Sequence, residues 1–278
     1  MRRGWFGVGM AVIVWTAMVS AQATRPLVVA HRGGAGLAPE NSLGAFRQAL
    51  DLGVDSLELD VHLSRDGELV VSHDPTLERT TNGSGPIAAK TWAELTGVRL
   101  KSGFPDRFQD ERLPRLDDVL ALVAGRPGVR VQVEIKRGPS GFYPGIEEKV
   151  VVAIEQRRLM DRVIVIAFED ETLQRLRALR PGLTVYGLTS PRPLERRGQT
   201  IEAYLAAMHA LGVAGVGLDQ RLVTPAVVAE ARRRGLQIGV WTVNDPDAMR
   251  RFGGMSLDFI TTDRPDLLKA VLSGATVR

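Results

Sequence analysis

The chain has 278 residues, 44% of them apolar and 24% charged, with a formal net charge of +4 and no cysteine. That apolar fraction belongs to a globular protein with a sizeable core, and the length suits a single α/β barrel of about 250 residues behind a short leader. The lack of cysteine excludes disulfides, thiolate metal sites and a cysteine nucleophile, and no long basic run interleaved with aromatics is present to bind nucleic acid.

Residues 1–23 carry Arg2 and Arg3, then an apolar run from Trp5 to Val19, then Ala21-Gln22-Ala23. A charged start, an apolar run and a small-x-small end are the parts of a secretory signal peptide, here cleaved after Ala23. The apolar run is shorter than the about 20 residues of a membrane span, so no stable membrane insertion is expected after cleavage. The expected mature protein is a single domain, residues 24–278, in the periplasm or secreted, and it keeps a charge of +4 − 2 = +2.

A short strand over residues 27–31 ends in His31-Arg32-Gly33-Gly34, where glycine permits a tight turn and close approach to a ligand. A helix then opens at Asn41-Ser42, with Leu43, Phe46, Ala49 and Leu50 along one face. Glu40 and Asn41 are candidates for its cap.

Between residues 54 and 75 two β-patterned runs flank Arg65-Asp66-Gly67-Glu68. With Asp66-Gly67 as a two-residue turn, Ser64 faces Leu69 and Asp60 faces His73. Glu58 and Asp60 share that face, because side chains alternate along a strand. One hairpin thus gathers two carboxylates and an imidazole. Residues 76–113 are rich in turns, with a short helix near Trp92, and read as an inserted excursion.

Helix and strand then alternate. A helix over residues 116–124 leads to the strand VRVQVEIK at 129–136. Further strands are predicted at 162–168, 183–188, 215–218, 237–243 and 257–261. Helices precede them at 145–158, 171–179, 201–211, 225–234 and 247–252, and one closes the chain at 266–272. No element is predicted between Leu188 and Ile201. Leaving aside the antiparallel arm of the hairpin, eight strands remain, the number of a closed (β/α)8 TIM barrel with a small insertion after its second strand. The open doubly wound alternative lacks its Gly-x-Gly-x-x-Gly turn.

Barrel enzymes build their sites where the strands end. Those ends carry His31-Arg32, Glu58, Asp60, Glu134, Lys136, Phe168, Asp219 and Trp241. Three converging carboxylates repel one another unless a cation lies between them, and an all-oxygen set suits Mg²⁺ or Ca²⁺ rather than zinc. Trp241 and Phe168 fit either a wall of the substrate cavity or plain core packing. His62 fits a structural hydrogen bond, His209 the surface, and the Arg232-Arg233-Arg234 run a solvated helix end.

The segments HRGGAGLAPENSLGAF, LELDVHLSRDGELVVSHDPTLERTTNGSG, VEIK, VWTVND and ITTDRPDLL resemble the successive motifs of the glycerophosphodiester phosphodiesterases. The resemblance implies a TIM barrel that uses one divalent cation to hydrolyse glycerophosphodiesters to glycerol 3-phosphate and an alcohol. It further implies Glu58, Asp60 and Glu134 as metal ligands and His31 and His73 as the acid/base pair, with acid and base not distinguished by spacing. Arg32 and Lys136 would hold the phosphate, and Glu40 would stand behind Arg32. One departure from the pattern is Ala167-Phe168, where the family often has Ser-Phe. The same chemistry on lysophospholipids or teichoic-acid-like polymers is the alternative substrate reading.

Overall fold

A computed structural model describes residues 25–104 and 108–275, and the expected signal segment lies outside them. The strands are β1 (Leu27–Ala30), β2 (Ser56–Leu63), β3 (Leu69–Val71), β4 (Arg130–Ile135), β5 (Val163–Ala167), β6 (Thr184–Thr189), β7 (Gly215–Asp219), β8 (Gln237–Trp241) and β9 (Phe259–Thr262). They lie in the order β1-β9-β8-β7-β6-β5-β4-β2-β3, and β1 also pairs with β2. Every pairing is parallel except β2 with β3, so eight strands close a barrel and β3 hangs on its edge.

The helices are α1 (Leu43–Asp51), α2 (Trp92–Leu95), α3 (Leu116–Ala124), α4 (Ile146–Gln156), α5 (Asp170–Leu179), α6 (Pro191–Arg197), α7 (Ile201–Leu211), α8 (Pro225–Arg233), α9 (Pro246–Gly253) and α10 (Pro265–Leu272). Their starts carry ordinary stop-and-go chemistry. Ser42, Thr200, Thr224 and Asp245 each accept a backbone N–H of the first turn, and proline opens α8, α9 and α10 where a missing N–H costs nothing. Among the described residues no helix is long and apolar enough to cross a membrane.

The strands are buried on both faces, which explains their near-continuous Val, Ile and Leu runs. Outward residues such as Leu57, Leu59 and Val61 pack with Phe46, Leu120, Ile154 and Phe252 of the helices. Full burial of such a side chain contributes about 1.5–3 kcal/mol. Inward residues Val29, Ile164, Ile166, Tyr186, Leu188 and Phe259 fill the barrel itself. Because Leu57, Leu59 and Val61 point out, Glu58 and Asp60 must point in. The parallel register then sets Glu58 beside Gln132 and Asp60 beside Glu134.

The described residues of the inserted excursion, 76–104 and 108–113, fold on a small core of their own, in which Leu77, Ile87, Leu95, Leu100 and Leu113 cover Val70. They include α2 and bridges such as Thr81 with Leu100.

Two sequence expectations fail here. The hairpin register is shifted by one: Val61 pairs with Val71 and Leu63 with Leu69, so Asp60 meets Ser72 and not His73. The loop has three residues. Gly67 takes φ 84° and donates to Ser64 O, while Ser64 N donates to Glu68 O. Tertiary contact selects this loop, because the Asp66 carboxylate accepts the Trp92 N–H at the start of α2. The second failure is α6, which was not expected between Leu188 and Ile201. Pro191 and Pro193 read as breakers, yet proline suits a first helical turn, and Gly198 in a left-handed conformation ends the helix.

Candidate active site

At the first strand end, Ala30 leads into the tight turn His31–Gly33, with Arg32 at φ 50° and Gly33 at φ 83°. Gly33 allows this because a Cβ there would sit 2.8 Å from the Ala45 Cβ of α1. The turn aims the Arg32 N–H at Glu58 Oε2, 2.8 Å away. Its guanidinium donates to Glu40 Oε1 at 2.9 Å and lies 3.6 Å from Asp60 Oδ2. The buried Arg32 Nε has no hydrogen-bond partner, a free donor at the barrel mouth.

Glu58, Asp60 and Glu134 are all buried, and each offers an oxygen within 4.8 Å of the others. Oxygens around one Ca²⁺ at 2.3–2.6 Å lie up to about 5 Å apart, so the spacing fits a single hard cation. The electrostatics fit it too. Burial, reinforced by the Asp60 charge, pushes Glu58 up to about 7. Burial raises Glu134 as well, in spite of the Lys136 ammonium 2.7 Å from its Oε1. Asp60 moves the other way: burial opposes ionisation, but Lys136 at 3.4 Å, His73, Arg32 and the 2.9 Å bond from Asn41 Nδ2 overcome it. Arg32 and Lys136 offset only part of three negative charges. The cluster could therefore hold a metal ion.

Both histidines are bound through Nδ1 to a carboxylate. His31 Nδ1 is 2.6 Å from Asp263 Oδ1, and Asn244 Nδ2 binds the other oxygen of Asp263 at 2.6 Å. His73 Nδ1 is 2.7 Å from Asp74 Oδ1. A carboxylate accepts, so each Nδ1 carries a proton and each Nε2 is left to gain or lose one. Burial pulls His31 down, but Asp263 and the Glu58 charge leave it raised overall. His73 is lowered, by burial and the Lys136 charge. Arg79 ties the array together, donating to Asp74 at 2.5 Å and to both oxygens of Glu40 at 2.8 Å.

His73 reaches the site although the register turns its position away from Asp60, because β3 ends at Val71 and the chain leaves the sheet. His62 supports that departure. Its Nε2–H donates to His73 O at 3.1 Å, which leaves Nδ1 to accept from Tyr143 OH at 2.9 Å. Burial lowers His62 to about 4, so it stays neutral as a structural group.

His31, Arg32, Glu58, His73, Glu134 and Lys136 line a cavity of about 130 Å³ that also takes in Ile166, Leu188 and Phe259. Phe168 and Trp241 close it edge to face, with ring centroids 5.6 Å apart, and the buried Trp241 Nε1 has no partner. His209 is exposed, and Arg232 and Arg233 pair with Asp258 and Glu230 on the outside. Asp219 faces Arg221 and contributes nothing to the cavity. Asn41 does not cap α1; Ser42 does. Asp74, Arg79, Asn244 and Asp263 were missed by sequence reasoning. Asp74 and Asp263 had a usable signal, since each lies at the mouth end of a strand.

The family model for the glycerophosphoryl diester phosphodiesterase family matches residues 31–267. The chain belongs to that family. A glycerophosphodiester phosphodiesterase of Caldanaerobacter subterraneus subsp. tengcongensis is 35% identical over 249 residues, 88% of this chain and 96% of the relative. A crystal structure of glycerophosphodiester phosphodiesterase from Agrobacterium tumefaciens superposes with TM-score 0.73 at 29% identity, covering 88% of this chain and 99% of the other. An Oleispira antarctica phosphodiesterase in complex with its product sn-glycerol 3-phosphate gives TM-score 0.74 at 26% identity, covering 90% and 97%. The enzyme is thus a glycerophosphodiester phosphodiesterase on a TIM barrel.

Proposed function

We propose that the enzyme hydrolyses small glycerophosphodiesters to glycerol 3-phosphate and an alcohol with one divalent cation, Ca²⁺ or Mg²⁺, and with His31 and His73 as the acid/base pair. The observation that carries this is the matched pairing of both imidazoles: each donates an Nδ1–H hydrogen bond to a carboxylate and keeps Nε2 for proton transfer. Glu58, Asp60 and Glu134 would hold the cation, which supplies positive charge where negative charge builds on the phosphoryl oxygens.

Arg32 and Lys136 bind and orient the phosphate, and they offset the charge that grows on its oxygens in the transition state. Glu40 holds the Arg32 guanidinium in place. Phe168 and Trp241 wall off the glycerol arm, and the free Trp241 Nε1 is a donor for one of its hydroxyls. One imidazole takes the proton from a glycerol hydroxyl as that oxygen bonds to phosphorus. The other gives a proton to the departing alcohol oxygen as its P–O bond breaks. Water then opens the cyclic phosphate with the roles reversed. The glycerol 3-phosphate bound by the Oleispira relative is the product this sequence would release.

The sequence of residues 1–23 supports export with cleavage after Ala23, leaving residues 24–278 as the working domain. N-terminal sequencing of protein recovered outside the cytoplasm tests this; an N-terminus at Met1 sinks it.

The enzyme is tested on glycerophosphocholine and glycerophosphoethanolamine, treated with EDTA and then resupplied with Ca²⁺ or Mg²⁺. Activity should vanish and return, and activity indifferent to EDTA removes the cation from the reading. His73→Ala should lower kcat by roughly 10²–10⁴ while the fold persists. Near-normal turnover by a folded variant refutes its role. Cyclic glycerophosphate trapped by quenching supports the two-step path.

A further inference from the structure

Two open depressions adjoin the cavity mouth. One borders Trp241 and contains Arg221 and Arg251; there Asp219 already grips the Arg221 guanidinium through both oxygens, at 2.9 and 2.8 Å. The other shares Glu134, Lys136 and Phe168 with the cavity and continues over Arg137, Glu169, Arg196 and Arg197. Its lining holds four cations and two carboxylates, a balance of +4 − 2 = +2. Glu134 belongs to the buried cluster at its inner end. Arg137 lies 3.6 Å from Glu169, and Arg197 donates to Asp170 at 3.1 Å and to Phe168 O at 3.3 Å. Arg196 is exposed and has no carboxylate partner among the described residues. Arg137, Arg196 and Arg197 thus line a groove that begins at Lys136.

A phosphodiester has two arms. The cavity closed by Phe168 and Trp241 is small and takes the glycerol arm, so the alcohol arm must leave past the rim. On this reading, which rests on the phosphodiesterase function proposed above, the arm that passes Lys136 enters the basic groove. We infer that this groove is an anion subsite for the leaving alcohol, selecting glycerophosphodiesters whose alcohol bears a further phosphate, as in short glycerol-phosphate oligomers. Cationic arms such as choline meet like charge there and are disfavoured.

The test compares kcat/KM of the metal-loaded enzyme for glycerophosphocholine, glycerophosphoglycerol and bis(glycerophospho)glycerol. The doubly charged diester should be preferred to glycerophosphoglycerol by about tenfold; both molecules present two equivalent terminal glycerols, so the number of ends favours neither. The preference should fall as salt is raised, because exposed charges are screened. Arg196→Glu should cut the ratio toward one, while Arg126→Glu, a like charge change at the remote Asp51 pair, should leave it intact. A wild-type ratio near one, or an Arg196→Glu variant that loses activity equally on all three substrates, overturns the subsite alone. No turnover of any of the three overturns the phosphodiesterase reading with it.

Discussion

Replacing Glu58 with glutamine separates the electrostatic cost of the acidic cluster from its use. Glu58 is only 3% exposed and faces Asp60 and Glu134, and burial together with the Asp60 charge raises it from 4.5 to about 7. At 1.36 kcal/mol per unit this amounts to about 3 kcal/mol, an upper bound on what its ionisation costs the metal-free fold. Between pH 4.5 and about 7 the folded protein holds a proton that the unfolded chain has released. Stability of the metal-free enzyme therefore falls as pH rises through that window and levels off above it. Glutamine removes the charge and keeps the 2.8 Å bond from the Arg32 N–H through its carbonyl oxygen. Glu58→Gln should thus raise the Tm of the EDTA-treated protein at pH 8 by up to about 6 °C, at roughly 2 °C per kcal/mol for a chain of this size. It should also flatten the pH dependence. The same variant should lose the increase in Tm that Ca²⁺ or Mg²⁺ gives the wild type. Thermal unfolding with and without metal reads both effects. A metal-free variant less stable than wild type at pH 8, or one that keeps the full metal-induced shift, refutes the reasoning.

Two further predictions follow from the same geometry. Gly33→Ala puts a side chain at φ 83° and against Ala45, so it should cost about 1–3 kcal/mol in chemical denaturation and lower activity by moving Arg32. A variant as stable and active as wild type would show that the turn is not constrained. Asp74 is held at about 2, first by its bonds from Arg79 and then by His73, which outweigh partial burial. Its contribution is present above pH 3.8 and lost as pH falls toward 2, so Asp74→Asn should be less stable at neutral pH and show a shallower acid limb. An unchanged acid limb, measured by urea unfolding from pH 5 downwards, would contradict this.

Much of the scaffold was legible locally. A strand buried on both faces must be an apolar run of a few residues, and a covering helix must repeat its apolar side every three or four. Eight such pairs leave few architectures besides the closed barrel. The inward carboxylates were legible for the same reason: in Leu57-Glu58-Leu59-Asp60 the period of two separates the face against the helices from the face inside the barrel.

What periodicity names is a face; it does not name the partner across space. Asp263 lies 232 residues from His31 in sequence, and only closing β9 against β1 brings the two together. The hairpin register escaped for a similar reason. Asp66-Gly67 is a good two-residue turn in isolation, but the Trp92 N–H on a later helix recruits the Asp66 carboxylate and favours the longer loop. His73 then reaches the mouth by leaving the sheet and not by facing Asp60 within it. The amino-acid order alone determined which residue types would line the barrel mouth. Which acid His31 leans on was decided by packing, since that pairing joins segments that no local pattern connects, whereas His73 leans on its own neighbour Asp74.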